Sequence, residues 1–248
     1  MTRESKLTPD DILINAVIEA WGGAREPAEA MPPASAPEGD GEELDGDAID
    51  ERDELEIWSR RACVSPNSWY RERMTALPHL TLPVGPRDHI QGGDHATITL
   101  VEYGDYECPH CARAYPVVKA VQKRLGKQLR FVFRNFPLNQ VHAHAEAAAE
   151  IAEAAAVEGK FWEMHDLLFE HQRALEIDDL LGYATKLGLD GQRIVSELKH
   201  RKHLPRVKED YDSGARSGVD GTPAFFINGK PFDGDWTDVE SFVAALTR

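Results

Sequence analysis

The sequence is poor in cysteine, in basic residues and in long apolar runs, and each shortage argues against a class of function. It has three cysteines, too few for the two Cys-x-x-Cys pairs of a common zinc site. Its 28 lysines and arginines stand against 43 acidic residues, and nucleic-acid binding needs clustered basic charge. No apolar stretch approaches the length of a membrane span. We therefore expect no nucleic-acid partner and no membrane span.

The excess of negative charge belongs to one end of the chain. Residues 1–60 carry 17 acidic and 5 basic residues, whereas residues 61–248 carry 26 and 23. Residues 24–50 are rich in proline, glycine, alanine and acids, a composition that buries too little apolar surface to offset the entropy cost of ordering. We predict that residues 1–50 form a largely disordered acidic extension with one short helix. The apolar stripe of that helix is Ile14, Val17, Ile18 and Trp21.

Residues 51–84 form a second segment, which is too apolar for a solvated tail. Ser65 followed by Pro66 is typical of a helix start, so we predict one or two short helices that link the extension to the rest of the chain. Cys63 lies in this segment. We interpret it either as a reduced thiol without a role or as a regulatory partner of the other two cysteines.

The compartment is predicted from the N-terminus, which has no basic patch followed by an apolar core, the usual pattern of an export signal. Its one apolar stretch, residues 12–21, contains Asn15 and Glu19. We therefore expect a cytoplasmic protein, and export by an unrecognised route is the alternative.

The cysteine pair Cys108–Cys111 lies at a predicted strand-to-helix junction. Residues 97–103 are β-branched and apolar, as in a buried strand, and residues 112–125 repeat apolar side chains at helical spacing. Pro109 stands where helices accept proline in their first turn. Because the N–H groups and the dipole at a helix start stabilise a thiolate, this junction predicts a reactive thiol at Cys108.

A metal site built on the same pair is the alternative. It would have to take its other ligands from Cys63 or from histidines whose spacing matches no common pattern. Those histidines are His142, His144, His165 and His171. His165 stands among apolar residues and is predicted to be a hydrogen-bonded core residue. We favour a redox pair and expect no metal.

Two motifs, in the right order, resemble the DsbA-like thiol–disulfide oxidoreductases, which have a thioredoxin fold. The first is Leu-Val-Glu-Tyr-Gly-Asp-Tyr-Glu-Cys-Pro-His-Cys at residues 100–111, and the second is Gly-Thr-Pro-Ala-Phe-Phe-Ile-Asn-Gly at residues 221–229. Between them, residues 161–169 resemble part of the helical insert of the family. The resemblance covers about residues 85–248 and implies that Pro223 is cis and faces the dithiol.

The predicted element order agrees with this resemblance. The fold class is α/β, a thioredoxin fold with an α-helical insertion, at about residues 138–218, between its β-α-β and β-β-α halves. A strand within residues 127–136 completes the first half. Helices are predicted in the insert at residues 145–157, from Phe161 onward, and at residues 178–187, 190–200 and 205–217. Strands at 224–227 and 230–232 and a helix at 238–246 form the second half.

The resemblance and thiolate chemistry together predict a protein thiol–disulfide oxidoreductase. Cys108, expected to be exposed, would form a mixed disulfide with a partner protein, and Cys111 would resolve it. His110 would place a donor or a positive charge near the Cys108 sulfur. Asp105 and Glu107 would oppose that stabilisation. The expected partners are proteins with thiols or disulfides and an unidentified redox partner that recycles the pair, and no cofactor is expected.

Three further residues are assigned to the site. Glu102 lies six residues before Cys108, on a strand expected to be covered on both sides, and the family has an acid beneath the dithiol. A buried carboxylate needs a task or a partner, so we hypothesise that Glu102 shuttles a proton to or from Cys111. A carboxylate at the rim of a strand end is the alternative. Thr222 and Pro223 would present backbone groups to an extended substrate peptide.

Two other functions stay open at the level of sequence. A glutathione-dependent transferase or isomerase on the same fold would not need Cys111. A non-catalytic peptide-binding module would need neither cysteine. The presence of two paired cysteines favours exchange between dithiols over both.

Overall fold

The computed structural model describes residues 79–93 and 95–248. The predictions for the acidic extension, for Cys63 and for nearly all of residues 51–84 lie outside these described residues. The strands are β1 (His89–Gly92), β2 (Ile98–Gly104), β3 (Leu129–Asn135), β4 (Ala224–Ile227) and β5 (Lys230–Phe232). The helices are α1 (Pro109–Leu125), α2 (Ala145–Ala156), α3 (Phe161–Glu170), α4 (Ile177–Lys186), α5 (Gly191–Lys199), α6 (Leu204–Arg216) and α7 (Val239–Leu246). Among the helices of the described part, none is long and apolar enough to cross a membrane.

The five strands form one sheet in the order β1-β3-β2-β4-β5. β2 and β3 are parallel and are joined by α1, whereas all other neighbouring pairs are antiparallel. Helices α2 to α6 stand between this β-α-β half and the β4-β5-α7 half, which confirms the predicted thioredoxin fold with a helical insertion. β1 was missed, because it is a four-residue edge strand with little apolar signal.

The sheet has an apolar core on each face, because successive residues of β2 point to opposite sides. Leu100 faces the larger core, which β2 shares with α1, α7 and the inserted helices. Val101 and Tyr103 face a smaller core beside α6. Every residue from Leu100 to Gly104 is buried, so the strand that leads to the cysteine pair is fixed from both sides.

Helix α2 is composed mainly of alanine and glutamate, which are strong helix formers. It packs against α3, α4, α5 and α6, and its small side chains allow those helices to approach closely. Two of its glutamates are buried, and each has a basic partner: Glu150 pairs with Arg201 at 2.6 Å and Glu153 with His89 at 3.0 Å. Such pairing offsets the cost of burying the carboxylates.

A buried ion pair fixes the segment before β1 to β3. Arg134 of β3 is fully buried and donates to the Asp88 carboxylate at 2.8 and 3.1 Å. It also donates to the Tyr103 hydroxyl at 2.9 Å and to the carbonyl oxygens of Leu82 and Pro83 at 2.9 and 3.3 Å. Because an unpaired buried charge is strongly destabilising, these bonds determine where the segment lies.

Two glycines on inserted helices allow a matched test of packing. A Cβ at Gly214 in α6 would lie 2.7 Å from a ring carbon of Phe136, whereas a Cβ at Gly182 in α4 would meet nothing within 4 Å. We expect Gly214→Ala to lower the free energy of unfolding by about 1–3 kcal/mol through overpacking. Gly182→Ala should raise it by roughly 0.5–1 kcal/mol, the ordinary gain in a helix. Urea unfolding measures both, and equal effects at the two positions would contradict the packing of α6.

Candidate active site

Cys108 is the N-cap residue of α1, and Pro109 is the first residue of that helix. The Cys108 backbone N–H donates to the Asp105 carbonyl oxygen at 3.2 Å, which closes the turn after β2. The Cys108 Sγ lies 3.4 Å from the carbonyl oxygen of Thr222, two residues before β4. The Thr222–Pro223 peptide bond is cis. The sulfur therefore lies between a helix start and a loop more than a hundred residues away in sequence.

The surroundings of Cys108 stabilise its thiolate. Its pKa is lowered to about 4, first because the Cys111 side chain hydrogen-bonds to the sulfur, and then through the Thr222 side chain and the backbone N–H groups of Cys111 and His110. Burial acts against this shift. Within the described part of the chain the buried Thr222 Oγ1 has no other hydrogen-bond partner. It is thus available as a donor to the thiolate.

Cys108 is 3% exposed, so the prediction of an exposed thiol is wrong. The exposure was expected because Cys108 is the cysteine assigned to the mixed disulfide with a partner protein. In the structure the loop that contains Thr222 covers the start of α1, and the sequence separation of the two segments hides this contact from local patterns.

Cys111 has the opposite electrostatic character. It is fully buried, and its Sγ accepts a hydrogen bond from the Asp105 backbone N–H at 3.4 Å. Burial, the hydrogen bond to Cys108 and the nearby Glu102 all raise its pKa well above the ordinary value of a thiol. Both cysteines are in the dithiol form, and the pair therefore combines a thiolate with a protonated thiol.

Glu102 is 3% exposed in the middle of the sheet, with Phe133 and Phe225 as its partners on the neighbouring strands. The alternative of a rim carboxylate is therefore wrong. Burial raises the pKa of Glu102 to about 8, and the charge of Cys108 adds to the shift. Glycine at position 104 leaves room for the Phe133 ring beside Glu102. A Cβ at that position would lie 2.4 Å from the ring.

The two acids next to the cysteine pair are held by histidines. Asp105 accepts hydrogen bonds from the backbone N–H groups of Glu107 and Leu138 at 2.7 and 2.8 Å, and its Oδ2 lies 2.8 Å from His142 Nδ1. The Glu107 carboxylate accepts from the His144 backbone N–H at 2.6 Å and lies 3.0 Å from His144 Nδ1. These contacts bind the segment after β3 to the active-site turn.

His110 supplies its donor to Cys108 from the backbone and not from the side chain. Its side chain is exposed, and its Nδ1 lies 2.6 Å from Arg113 Nη2, so the ring accepts a hydrogen bond from the guanidinium group. What His110 contributes to Cys108 is its backbone N–H. The side chain turns along the surface of α1 because Arg113 lies one helical turn further on.

The remaining histidines considered as metal ligands have other partners. His165 is buried among aromatic rings, and its Nδ1 lies 3.2 Å from the Tyr106 hydroxyl, which confirms the predicted hydrogen-bonded core residue. Burial holds the pKa of His165 well below its usual range, so the ring is uncharged. His171 Nδ1 lies 3.0 Å from the Leu167 carbonyl oxygen. Within the described residues no group of three or more His, Cys, Asp or Glu side chains is arranged to hold a metal ion.

Sequence patterns did not single out Gln172, although its side-chain amide contacts the backbone of the active-site turn. They also gave no reason to pair His142 with Asp105 or His144 with Glu107, because each pair is 37 residues apart. A polar residue directly after a helix is common in proteins, and its partner becomes visible only when the fold is known.

The chain was compared with protein families and with known proteins. A family model described as thioredoxin matches residues 85–247. Among curated relatives, the Na(+)/H(+) antiporter NhaA 1 of Salinispora arenicola is 47% identical over 169 residues, which cover 68% of this chain and 26% of that protein. The chain thus spans about a quarter of the length of the curated relatives it matches, and the antiporter name describes those whole proteins.

Solved structures share the fold. BdbD from Bacillus subtilis, in its oxidised form, superposes with a TM-score of 0.59 at 23% identity, covering 66% of this chain and 94% of that one. MdbA from Corynebacterium matruchotii, described as a thiol-disulfide oxidoreductase, superposes with a TM-score of 0.54 at 20% identity, covering 66% and 89%. At such identities the likeness concerns the fold alone.

The raised pKa of Glu102 predicts a particular dependence of stability on pH. Folded protein keeps the Glu102 proton up to about pH 8, whereas unfolded protein loses it above about pH 4.5. Ionisation therefore destabilises the wild type between these values by about 1.4 kcal/mol per pH unit. We expect Glu102→Gln to gain stability relative to the wild type with that slope from pH 5 to 8, and no further above. Urea unfolding of both reduced proteins across this range measures the difference, and a constant difference would show that Glu102 is ionised in the folded protein.

Proposed function

The chain belongs to the DsbA-like thioredoxin-fold family, and from this we propose that it exchanges disulfides with partner proteins through Cys108 and Cys111. The observation that carries the proposal is the unequal state of the two sulfurs. One is a stabilised thiolate at a helix start, and the other is a buried thiol that hydrogen-bonds to it. Exchange between dithiols needs this combination: a thiolate that attacks the partner disulfide and a second thiol that later resolves the mixed disulfide.

The proposed reaction has two displacement steps. The Cys108 thiolate attacks one sulfur of a partner disulfide, which forms a mixed disulfide and releases the other partner sulfur as a thiolate. Cys111 then loses its proton and attacks the Cys108 sulfur, so the second partner sulfur leaves and Cys108–Cys111 becomes a disulfide. The partner is reduced and the dithiol is oxidised by two electrons. The same steps in reverse oxidise a partner dithiol.

Glu102 fits the role of proton acceptor in the second step. While Cys108 is a thiolate, its charge helps to keep the pKa of Glu102 raised. In the mixed disulfide that charge is lost and the pKa of Glu102 falls, although burial, the larger cause, still keeps it raised. A carboxyl group whose pKa lies near the working pH can accept the proton that Cys111 must release. The Cys111 thiol is buried, and an internal acceptor avoids the need for bulk water at the sulfur.

The low pKa of Cys108 bears on whether the pair oxidises or reduces its partner proteins. A low pKa of the attacking cysteine stabilises the reduced form, which makes the disulfide a stronger oxidant. In a cytoplasm at roughly −220 mV or below, such a pair is kept as a dithiol. We therefore propose a cytoplasmic protein that reduces or isomerises disulfides in damaged proteins, with an unidentified reductant that restores the dithiol.

This proposal about direction and compartment can be tested in cells. After acid quenching and alkylation, we expect most of the purified protein to carry blocked thiols at Cys108 and Cys111, because the cytoplasmic pool is more reducing than the pair. Mass spectrometry counts the blocked thiols. A mostly oxidised pair would contradict the cytoplasmic reductase and would favour export by an unrecognised route.

The mechanism predicts which variant retains a covalent partner. Cys111→Ser should accumulate partner proteins linked through Cys108, since the resolving thiol is absent, and the complexes should disappear on reduction. Cys108→Ser should accumulate none. Non-reducing electrophoresis of alkylated extracts measures both. If Cys111→Ser retains full turnover with glutathione as the second substrate, the transferase or isomerase alternative is correct. If the variant lacking both cysteines keeps the activity, the chain is a binding module.

A further inference from the structure

Gln172 bridges two carbonyl groups of the turn that carries the reactive cysteine. It lies two residues after the end of α3, and its Nε2 donates to the Tyr106 carbonyl oxygen at 2.9 Å and to the Cys108 carbonyl oxygen at 2.8 Å. A side-chain amide nitrogen has two hydrogens, so each carbonyl receives one. The helical insert is thereby attached to the backbone of the catalytic turn.

The bridge is one part of a larger attachment between α3 and this turn. Tyr106 is buried, its ring lies 4.9 Å from that of Phe169, and its hydroxyl lies 3.2 Å from His165 Nδ1. Phe169 and His165 hold the side chain of Tyr106, and Gln172 holds its main chain. The Cys108 carbonyl also accepts the Ala112 N–H at 3.1 Å, the first backbone bond of α1. Gln172 therefore acts on the residue whose orientation sets the start of the helix.

The position of the Cys108 sulfur depends on this backbone. Its thiolate is stabilised by N–H groups at the start of α1 and by the side chain of Thr222 from the opposite loop. Both sets of groups stabilise the sulfur only while the turn keeps its orientation, because hydrogen bonds weaken steeply with misalignment.

We propose that Gln172 is a positioning residue of the dithiol site, which holds the backbone of Tyr106 and Cys108 so that the Cys108 sulfur faces the start of α1 and Thr222. The inference rests on the proposed exchange function and adds to it a residue outside both sequence motifs. It explains why the insert is coupled to the chemistry: α3 supplies the amide that fixes the turn.

The test compares three variants by the pH dependence of thiolate absorbance in the reduced protein. Gln172→Met keeps the approximate shape and removes both donors. Gln172→Glu also removes them at neutral pH and adds a negative charge beside the carbonyls. Gln122→Met is the matched control, because Gln122 is a half-buried glutamine on α1 whose Nε2 donates to Gln91 Oε1 at 2.8 Å, away from the dithiol.

We expect the pKa of Cys108 to rise by about one unit in Gln172→Met and by more in Gln172→Glu, with no rise in Gln122→Met. One unit is a tenfold change in the stability of the thiolate, so the redox potential of the pair should become more negative by about 30 mV. The melting temperature is measured in parallel, because each variant loses at least one hydrogen bond and a general loss of stability must be separated from the change in the Cys108 pKa.

An unchanged Cys108 pKa in both Gln172 variants would overturn the proposal, whatever their melting temperatures. So would a failure of both to fold while Gln122→Met folds, since Gln172 would then serve the fold and not the thiolate. The proposed function is judged separately by wild-type disulfide exchange. If the wild type exchanges no disulfides, that function fails, and the thiolate titration still decides the role of Gln172.

Discussion

The contact between the Cys108 sulfur and Thr222 depends on the pairing of two strands. β2 ends just before the cysteine turn and β4 begins just after Thr222, and the two strands are antiparallel neighbours with Tyr103 opposite Ala224. This register brings the end of one strand to the start of the other. A slip by one residue would turn the side chains of β4 to the opposite face of the sheet. The chemistry of the thiolate is therefore a consequence of how the sheet is assembled.

The acidic residues near the thiolate either have hydrogen-bond partners of their own or, in the case of Glu102, are mostly neutral. Asp105 and Glu107, which were expected to oppose it, are hydrogen-bonded to His142, His144 and backbone N–H groups. Glu102, the acid beneath the pair, has a pKa raised to about 8 and is mostly neutral at pH 7. The low pKa of Cys108 follows from hydrogen-bond donors at close range, and the nearby acids do not cancel it.

Local sequence patterns predicted the helices and strands whose formation depends on residues close together in the sequence. The predictions of β2 from its apolar run, of α1 from its early proline and of α2 from its alanine-rich sequence are correct. The resemblance implied a cis bond at Pro223, and the structure contains one. Errors arose where distant segments meet. Cys108 is covered by a loop 114 residues away, and Gln172 reaches the turn from within the helical insert, 64 residues away from Cys108 in sequence. No pattern within a short window contains these contacts.

The central claim is that the fold stabilises the thiolate of Cys108 and so makes the pair oxidising. The redox potential of the Cys108–Cys111 pair tests it most directly, by equilibration of the purified protein with glutathione buffers and quantification of dithiol and disulfide. With a Cys108 pKa of about 4, the account predicts a potential less negative than about −200 mV, towards the oxidising end of the range for such pairs. A potential near −270 mV, as in thioredoxin, would show that the thiolate is not stabilised and would contradict the account.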